Sequence, residues 1–373
     1  MENLTLFDYL SGEEKEKFSE RESTDWKWKM SEDYPQIKNG LKVFSCFAGG
    51  GGSTMGYKLA GCDVLGCIEL DKKMNEIYVA NHRPRFNYLM DIREFNALES
   101  GEIPKELFNL DILDGSPPCT TFSTAGEREK NWGKAKKFRE GQKEQTLDDL
   151  SFIFIETAKK LKPKVVVMEN VEGLLIGNAW KYVQRIYREF KNAGYLVHHW
   201  LLKGEQMGIP QQRHRAIFIA IRADQGKDPA TLDMSFNYRP ITFGEIRSEE
   251  GRVPKRGTTY LKLMEQRIET DKDFKDLSLR VRGKATGFCN SIIHDNEVCK
   301  TFTAKGMDFR YCDGLALSNI DLIHGQTFPE DYDFKGSSVQ YVIGMSVPPV
   351  MIKRVVEKLT EQGVLNHKEE KRQ

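Results

Sequence analysis

Four short segments of the chain carry residue types that could do chemistry together. A glycine-rich loop, Phe47-Ala48-Gly49-Gly50-Gly51-Gly52, comes first. Cys119 then follows two prolines, Glu169 ends an apolar run, and Arg213 and Arg215 lie two residues apart further on. A glycine loop suits a cofactor, whereas a thiol, a carboxylate and guanidinium groups suit a reacting ring. The order of these segments predicts one site with a cofactor half and a chemical half.

Cys119 is the candidate nucleophile. Taken alone, it is more typical of an ordinary buried thiol. The preceding Pro117 and Pro118 change that interpretation, because they fix the backbone direction and keep the loop out of a regular ladder. Such stiffness suits a side chain that must be aimed. The thiolate is the reactive form, so its surroundings must favour negative charge.

Glu169 and the two arginines are the candidate partners of the thiol. Glu169 follows the apolar residues 165–168, and a carboxylate in apolar surroundings suits a proton donor, with capping of the next helix as the alternative. Arg213 and Arg215, on one continuous strand, would both point to the same face. Their apolar flanks favour a buried, paired role over surface exposure. Together these groups suit a cytosine attacked at C6, protonated on a ring nitrogen, held at its carbonyl oxygen and alkylated at C5.

The cofactor half is predicted to bind a ribose. Glu69 follows Gly49 by 20 residues, where a carboxylate can accept hydrogen bonds from both ribose hydroxyls. NAD and S-adenosylmethionine both carry that ribose, but Thr54 stands at the third glycine position of a dinucleotide fingerprint, which favours S-adenosylmethionine. Asp91 is positioned to accept from the adenine amino group with Ile92 against the ring; capping of the next turn is the alternative.

Alternating strands and helices must position these residues. Apolar patterns predict strands over residues 41–47, 64–70, 110–115, 165–169, 195–202 and 216–221. They predict helices from the glycine loop to about residue 60 and over residues 72–81, 150–161, 180–192 and 350–359. The fold class is therefore α/β, with a doubly wound, mostly parallel, Rossmann-like sheet.

The chain divides into four predicted parts. Residues 1–40 form a polar N-terminal extension with a net charge of −4, and residues 41–222 form the catalytic domain. Residues 223–298 are irregular and basic and form a second, smaller domain, after which residues 299–373 return to the catalytic domain with a C-terminal helix. Local charge excesses of +3 over residues 127–145 and +5 over residues 252–285 contrast with a whole-chain charge of only +1.

Composition excludes several classes. The 373 residues are 30% charged and 39% hydrophobic, which is ordinary for a globular protein with a full core. No apolar run reaches the roughly 18 residues of a membrane helix, and no signal peptide pattern opens the chain. Seven cysteines without a CxxC pair favour reduced thiols in a cytoplasm over disulfides or a zinc site, so no metal is predicted.

These motifs, in this order, resemble the DNA (cytosine-5) methyltransferase family over residues 41–222 and about 299–360. The segments that carry the resemblance are Phe47-Ala48-Gly49-x-Gly51-Gly52, Ser116-Pro117-Pro118-Cys119, Glu169-Asn170-Val171, Gln211-x-Arg213-x-Arg215, His324-Gly325-Gln326-Thr327-Phe328-Pro329 and Gly344-Met345-Ser346-Val347-Pro348-Pro349.

The resemblance implies methyl transfer from S-adenosylmethionine to C5 of a cytosine flipped out of a specific double-stranded DNA sequence, through a covalent bond between Cys119 and C6. It implies catalytic roles for Cys119, Glu169, Arg213 and Arg215, with Glu169 at N3 and the amino group and Arg215 at O2. The cofactor-binding residues that it implies are Phe47, Ala48, Gly49, Gly51, Gly52, Glu69, Leu70, Asp91, Ile92, Asp114, Pro117, Ser346 and Val347.

The resemblance also implies a division of labour on the DNA. Residues 223–298 would be the target recognition domain, and residues 120–145 a mobile loop with Trp132, Gln142 and Lys143 as candidates for DNA contact. The two basic excesses would then contact phosphates. We expect a cytoplasmic monomer, bacterial or phage-encoded, with no membrane partner; any cognate restriction endonuclease would act separately.

Three residues depart from the family pattern, and two alternatives remain. Thr120 replaces the usual Gln, Met345 the usual Asn, and Ser45 a common Asp on the first strand. None of these is a catalytic group, so we expect an active enzyme. A dehydrogenase explains the glycine loop but leaves Cys119 and Glu169 without a role. An RNA (tRNA) cytosine-5 methyltransferase is less favoured, because the basic insertion is longer than such enzymes need. A zinc base deaminase is excluded by the absence of its ligand motifs.

Overall fold

The computed structural model describes residues 23–118, 149–254, 258–286 and 290–366. The candidate nucleophile Cys119 lies just outside the described residues, as do Trp132, Gln142 and Lys143. The chain forms two compact units. Of the described residues, one unit, here called the sheet unit, comprises 35–118, 149–202, 214–234 and 353–366. The other, here called the mixed unit, comprises 23–34, 203–213, 235–254, 258–286 and 290–352.

Strands and helices alternate through the first half of the described chain. The strands are β1 (Lys42–Cys46), β2 (Asp63–Glu69), β3 (Phe86–Leu89), β4 (Ile112–Gly115), β5 (Val165–Val171), β6 (Tyr195–Lys203), β7 (Gln211–Gln212), β8 (His214–Arg222), β9 (Ile292–Ile293), β10 (Cys299–Lys300) and β11 (Phe309–Arg310). The α-helices are α1 (Met30–Asp33), α2 (Gly52–Leu59), α3 (Lys72–His82), α4 (Ile92–Ala97), α5 (Leu150–Leu161), α6 (Trp180–Asn192), α7 (Phe243–Ile246), α8 (Thr258–Met264), α9 (Phe274–Arg282), α10 (Asn319–Gly325), α11 (Val339–Met345) and α12 (Pro349–Glu361).

The sheet unit is built on a seven-stranded sheet with the order β3-β2-β1-β4-β5-β8-β6. Strands β1 to β5 pair in parallel, whereas β8 runs antiparallel to β5. The predicted α/β fold with a doubly wound, mostly parallel sheet is therefore confirmed. Parallel strands end at a common edge, where ligands of such sheets bind. The glycine loop and Pro117 follow strands at that edge, Glu69 ends β2, and Glu169 lies near the end of β5.

Aromatic side chains fill the core between this sheet and its helices. Phe44 of β1 stacks on Phe95 of α4 with ring centroids 6.0 Å apart. Gly115, at the end of β4, leaves room for the Phe154 ring of α5, because a Cβ at this position would lie 2.4 Å from that ring. This close approach packs α5 directly beneath the residues that lead to Cys119.

The mixed unit contains shorter elements and its own core. Strand β7 pairs in parallel with β10, and β9 with β11. Phe274 of α9 packs against Phe309 of β11 within a separate apolar cluster. Residues 23–34 also pack in this unit: the Trp28 indole is 5% exposed and donates to the Thr327 carbonyl at 2.9 Å. The functional boundaries predicted at residues 41, 222 and 298 remain predictions. Within the part of the chain that is described, no helix has the length and apolar character to cross a bilayer.

Candidate active site

The glycine loop between β1 and α2 is held in a conformation that requires glycine. Gly49 and Gly51 have φ angles of +52° and +86°, in the left-handed region, and Gly51 is the N-cap of α2. A Cβ on Gly51 would lie 2.1 Å from Nε2 of His82. Burial lowers the pKa of His82 to about 3, so the imidazole beneath the loop is neutral. A side chain at Gly51 would therefore clash with the imidazole and displace the loop.

Glu69 ends β2 and is bonded to the glycine loop. Its carboxylate accepts from the Gly49 and Asp71 backbone N–H groups, each at 2.7 Å. Burial raises the pKa of Glu69, and these two hydrogen bonds oppose that shift. The Leu70 backbone N–H is a third donor to this carboxylate. A carboxylate has about four acceptor positions, so capacity remains for a hydroxyl donor. The neighbouring Leu70 is 41% exposed. The arrangement fits the predicted ribose contact.

Asp91 caps the helix that follows it. Its side chain accepts from the Arg93 backbone N–H at 2.8 Å and forms an ion pair with the Arg93 guanidinium at 3.2 Å. The capping alternative considered for Asp91 is thus present, while its side chain keeps 17% of its surface exposed. Ile92 is buried in the core of the sheet unit, so it offers a ligand little surface.

Asp114 lies at the end of β4 in a cage of hydroxyl groups. Its carboxylate accepts from Ser45 Oγ at 2.7 Å, Ser53 Oγ at 2.6 Å and Tyr57 Oη at 3.1 Å. Asp114 is 2% exposed. Burial raises its pKa to about 6, and the three hydroxyl donors oppose this rise. Ser45, the departure noted on the first strand, is the register partner of Asp114 in the β1–β4 pair.

Asn170 ties the end of β5 to the loop that leads to Cys119. Its side-chain amide donates to the Pro117 carbonyl at 3.3 Å, and its Oδ1 accepts from the Val171 N–H at 2.9 Å. Pro117 is buried, as an aimed loop requires. Asn170 was not among the predicted site residues. Its place next to Glu169 in the quoted motif is the only sequence signal that could have found it.

Glu169 and Arg215 form an ion pair across the antiparallel strands β5 and β8. Arg215 Nε lies 2.7 Å from Glu169 Oε1, and the side chains are only 13% and 11% exposed. Burial lowers the pKa of Arg215, which the facing carboxylate partly offsets. The apolar surroundings expected for Glu169 are therefore incomplete, because a guanidinium lies against it. The pair presents a hydrogen-bond acceptor and donors side by side.

Arg213 does not share this position. The continuous strand expected through both arginines is wrong here, since β7 ends at Gln212 and β8 begins at His214. A tight turn causes the break, in which the Arg213 N–H donates to the Gln211 carbonyl at 2.8 Å. In the mixed unit, Arg213 is buried and its guanidinium donates to the Phe302 and Gly344 carbonyls at 3.2 and 3.0 Å. A catalytic role for Arg213 stays a prediction.

The two late cofactor candidates also lie in the mixed unit. Ser346 is buried; its hydroxyl donates to the Val342 carbonyl at 2.7 Å, and its own carbonyl accepts from Gln326 Nε2 at 2.7 Å. Val347 is buried next to it. Their contact with a cofactor stays a prediction. Among the residues with described positions, no cluster of His, Cys, Asp or Glu could hold a metal ion.

Comparisons with known proteins identify the family of this chain. Residues 41–361 match the profile of the family described as C-5 cytosine-specific DNA methylase. The type II methyltransferase M.Sau96I of Staphylococcus aureus is 29% identical over 341 residues, 85% of this chain and 75% of the relative. M.NgoFVII of Neisseria gonorrhoeae, also a type II methyltransferase, is 28% identical over 83% of this chain and 84% of its own length.

Solved structures share the fold at low sequence identity. A candidate DNA modification methyltransferase encoded within an E. coli prophage superposes with a TM-score of 0.62 and 17% identity, covering 86% of this chain and 99% of that one. A mutant of DNMT2 from Spodoptera frugiperda gives a TM-score of 0.58 and 15% identity over the same shares of the two chains. These likenesses support the sheet architecture described above.

Proposed function

This chain belongs to the C-5 cytosine-specific DNA methylase family and is a DNA cytosine-5 methyltransferase, and from that premise we propose that it acts on a cytosine flipped out of a specific double-stranded DNA sequence. The observation that carries the proposal is the Glu169–Arg215 pair, at the strand edge where Asn170 holds the loop leading to Cys119. On the base-pairing edge of cytosine, the carboxylate could accept from the amino group and the guanidinium could donate to the O2 acceptor.

We propose that S-adenosylmethionine, when bound, supplies an electrophilic methyl group to C5. Glu69 would accept from the ribose hydroxyls, because it already lies at the strand end with free acceptor capacity and bonds the loop. Phe47, Ala48, Gly49, Gly51 and Gly52 would line the same ligand, and Asp91 would lie at its adenine. Leu70, Pro117, Ser346 and Val347 complete the set from the family resemblance.

The chemical roles that we propose come from the residue types and from the family resemblance, with the Glu169–Arg215 pair as support. The Cys119 thiolate adds to C6 of the ring, Glu169 gives the proton at N3, and Arg215 donates to O2, so negative charge does not accumulate on the ring. C5 thereby becomes nucleophilic, and S-adenosylmethionine, when bound, would give up its methyl group to C5 and leave as S-adenosylhomocysteine. A base, which we take to be water, would then remove the C5 proton as the Cys119–C6 bond breaks to return the thiolate, and the N3 proton would return to Glu169.

Base flipping is required by geometry. C5 and C6 of a stacked cytosine are out of reach of a thiol in a protein site, so the base must leave the helix. The basic excesses over residues 127–145 and 252–285 are suited to hold the phosphate backbone meanwhile. The RNA alternative is not favoured, because the matching family is one of DNA methylases.

The relatives support a proposal about the biological setting. Those named above are bacterial type II methyltransferases, so we propose that this enzyme is the modification half of a restriction–modification system. It would act as a monomer in a bacterial cytoplasm, and its endonuclease would act separately.

The proposal is tested by methyl transfer and by covalent trapping. Purified protein with labelled S-adenosylmethionine should methylate double-stranded DNA, and bisulfite sequencing should place the methyl group on one cytosine of a fixed sequence. DNA that carries 5-fluorocytosine at that position should form a covalent adduct with the native enzyme and none with Cys119→Ser. An adduct with Cys119→Ser, or full activity of that variant, would overturn the mechanism.

A further inference from the structure

The carboxylate of Asp114 is bound in an unusual way for a buried charge. Its described partners are the hydroxyls of Ser45, Ser53 and Tyr57 rather than a lysine or an arginine. An ionised group that leaves water without a charged partner is unfavourable for folding. Folding stability alone therefore does not explain why a carboxylate occupies this position. We look for the explanation in the structural role of the three hydroxyl residues that it binds.

The three partners belong to the elements that bracket the glycine loop. Ser45 is on β1, just before the loop, whereas Ser53 is the second residue of α2, just after it. Tyr57 follows Ser53 by four residues, so both face the same side of that helix. One carboxylate thus joins the strand that enters the loop and the helix that leaves it.

We propose that Asp114 is a positioning residue for the cofactor loop, which acts through Ser53 and Tyr57 rather than by touching the cofactor. It fixes the first two turns of α2 against the ends of β1 and β4, and so holds the glycine loop in the shape in which Gly49 and Gly51 are left-handed. This inference rests on the proposed use of S-adenosylmethionine. It replaces the direct contact with the cofactor expected for Asp114 by an indirect one.

A carboxylate suits this task better than an amide. It accepts only, at about four positions on two oxygens, so three hydroxyl hydrogens can all point to it. An asparagine would present one oxygen and an NH2 group, and the NH2 would oppose one of the three donors. Ser45 and Asp114 are register partners across β1 and β4. An aspartate at position 45 with a serine at position 114 could therefore form the same hydrogen bonds from the other strand.

The test is direct binding of S-adenosylmethionine to the full-length protein, measured by calorimetry for the native chain and five variants. Asp114→Asn should weaken binding by about tenfold or more. At a pH well above the pKa of Asp114, the melting temperature of this variant should not be lower than that of the native protein. The reciprocal exchange S45D/D114S should restore affinity to within about threefold. Steady-state assays should show Asp114→Asn raising KM for S-adenosylmethionine more than it lowers kcat.

Asp111→Asn is the matched control. Asp111 is equally buried, precedes β4 at the opposite end, and is held by Lys164 Nζ at 2.9 Å and the Lys42 N–H at 2.9 Å. We expect this variant to lower the melting temperature and to leave cofactor affinity unchanged. Tyr57→Phe and Ser53→Ala each remove one donor from the cage, and each should weaken binding by about threefold. If Asp114→Asn does not fold, these two variants test the positioning role of Asp114 in its place.

The outcomes separate this inference from the proposed function. If the native protein binds no S-adenosylmethionine, the proposed function fails. If the native protein binds it and Asp114→Asn binds equally well, the positioning role is wrong. The role is also wrong if the folded exchange variant binds no better than Asp114→Asn, or if Asp111→Asn loses as much affinity. Unchanged affinity in both single-donor variants would overturn it as well.

Discussion

Removing the guanidinium of Arg215 should destabilise the protein because Glu169 is left behind. The two side chains are buried to nearly nine tenths and lie 2.7 Å apart. Breaking a buried pair from one side leaves an uncompensated charge, which costs about 3–5 kcal/mol. Arg215→Met keeps much of the apolar stem, so we expect it to lower the free energy of unfolding by roughly 3 kcal/mol near neutral pH.

A double-mutant cycle isolates the ion pair from the loss of packing. Glu169→Gln removes the other charge, and the double variant Arg215→Met/Glu169→Gln removes both. We expect the double variant to be more stable than the sum of the two single losses implies, by at least about 1 kcal/mol. Urea unfolding followed by tryptophan fluorescence measures all four proteins.

A surface pair on the same strand is the control. Arg222 ends β8 and lies 2.8 Å from Asp224, whose side chain is 62% exposed. Arg222→Met should cost at most about 1 kcal/mol and leave methyl transfer unchanged. Strictly additive losses in the Arg215–Glu169 cycle, or an equal loss in Arg222→Met, would refute the argument from burial.

Further perturbations test the rest of the site and fold. Gly51→Ala places a Cβ against the buried imidazole beneath the loop, so we expect S-adenosylmethionine binding to be lost in calorimetry while the far-UV spectrum is kept. Asn170→Ala frees the Pro117 carbonyl and should lower kcat with little change in cofactor affinity; a normal kcat would contradict its positioning role. Burial raises the Asp114 pKa from 3.8 to about 6, so between these pH values the native state holds a proton that the unfolded state has lost. The stability that this proton contributes is fully present below pH 3.8 and is lost as pH rises through about 6. The difference in unfolding free energy between native protein and Asp114→Asn should therefore change by about 3 kcal/mol across that window and be flat above it. Trp28→Ala should cost about 3 kcal/mol, measured as a lower melting temperature, because the indole is buried and bonded to Thr327.

Regular elements were predictable where the apolar pattern is strong. The predicted bounds of residues 150–161 and 180–192 coincide with α5 and α6, because buried residues recur at helical spacing on both. The break between β7 and β8 was not predictable in this way. Residues 211–215 are all polar, so no apolar pattern marks a boundary there, and a backbone hydrogen bond in the turn at Arg213 breaks the strand.

The sequence by itself determined the chemical inventory of this protein and the order of its parts. A glycine loop, a cysteine after two prolines, Glu169 and the arginine pair predicted the α/β fold and cytosine-5 chemistry, because composition and spacing are local properties of a chain. Only the tertiary structure decided that Arg215, not Arg213, faces Glu169, and that Asp114 lies in a cage of three hydroxyls. Such contacts join residues far apart in the chain, and strand order and register, which no local pattern encodes, bring them together.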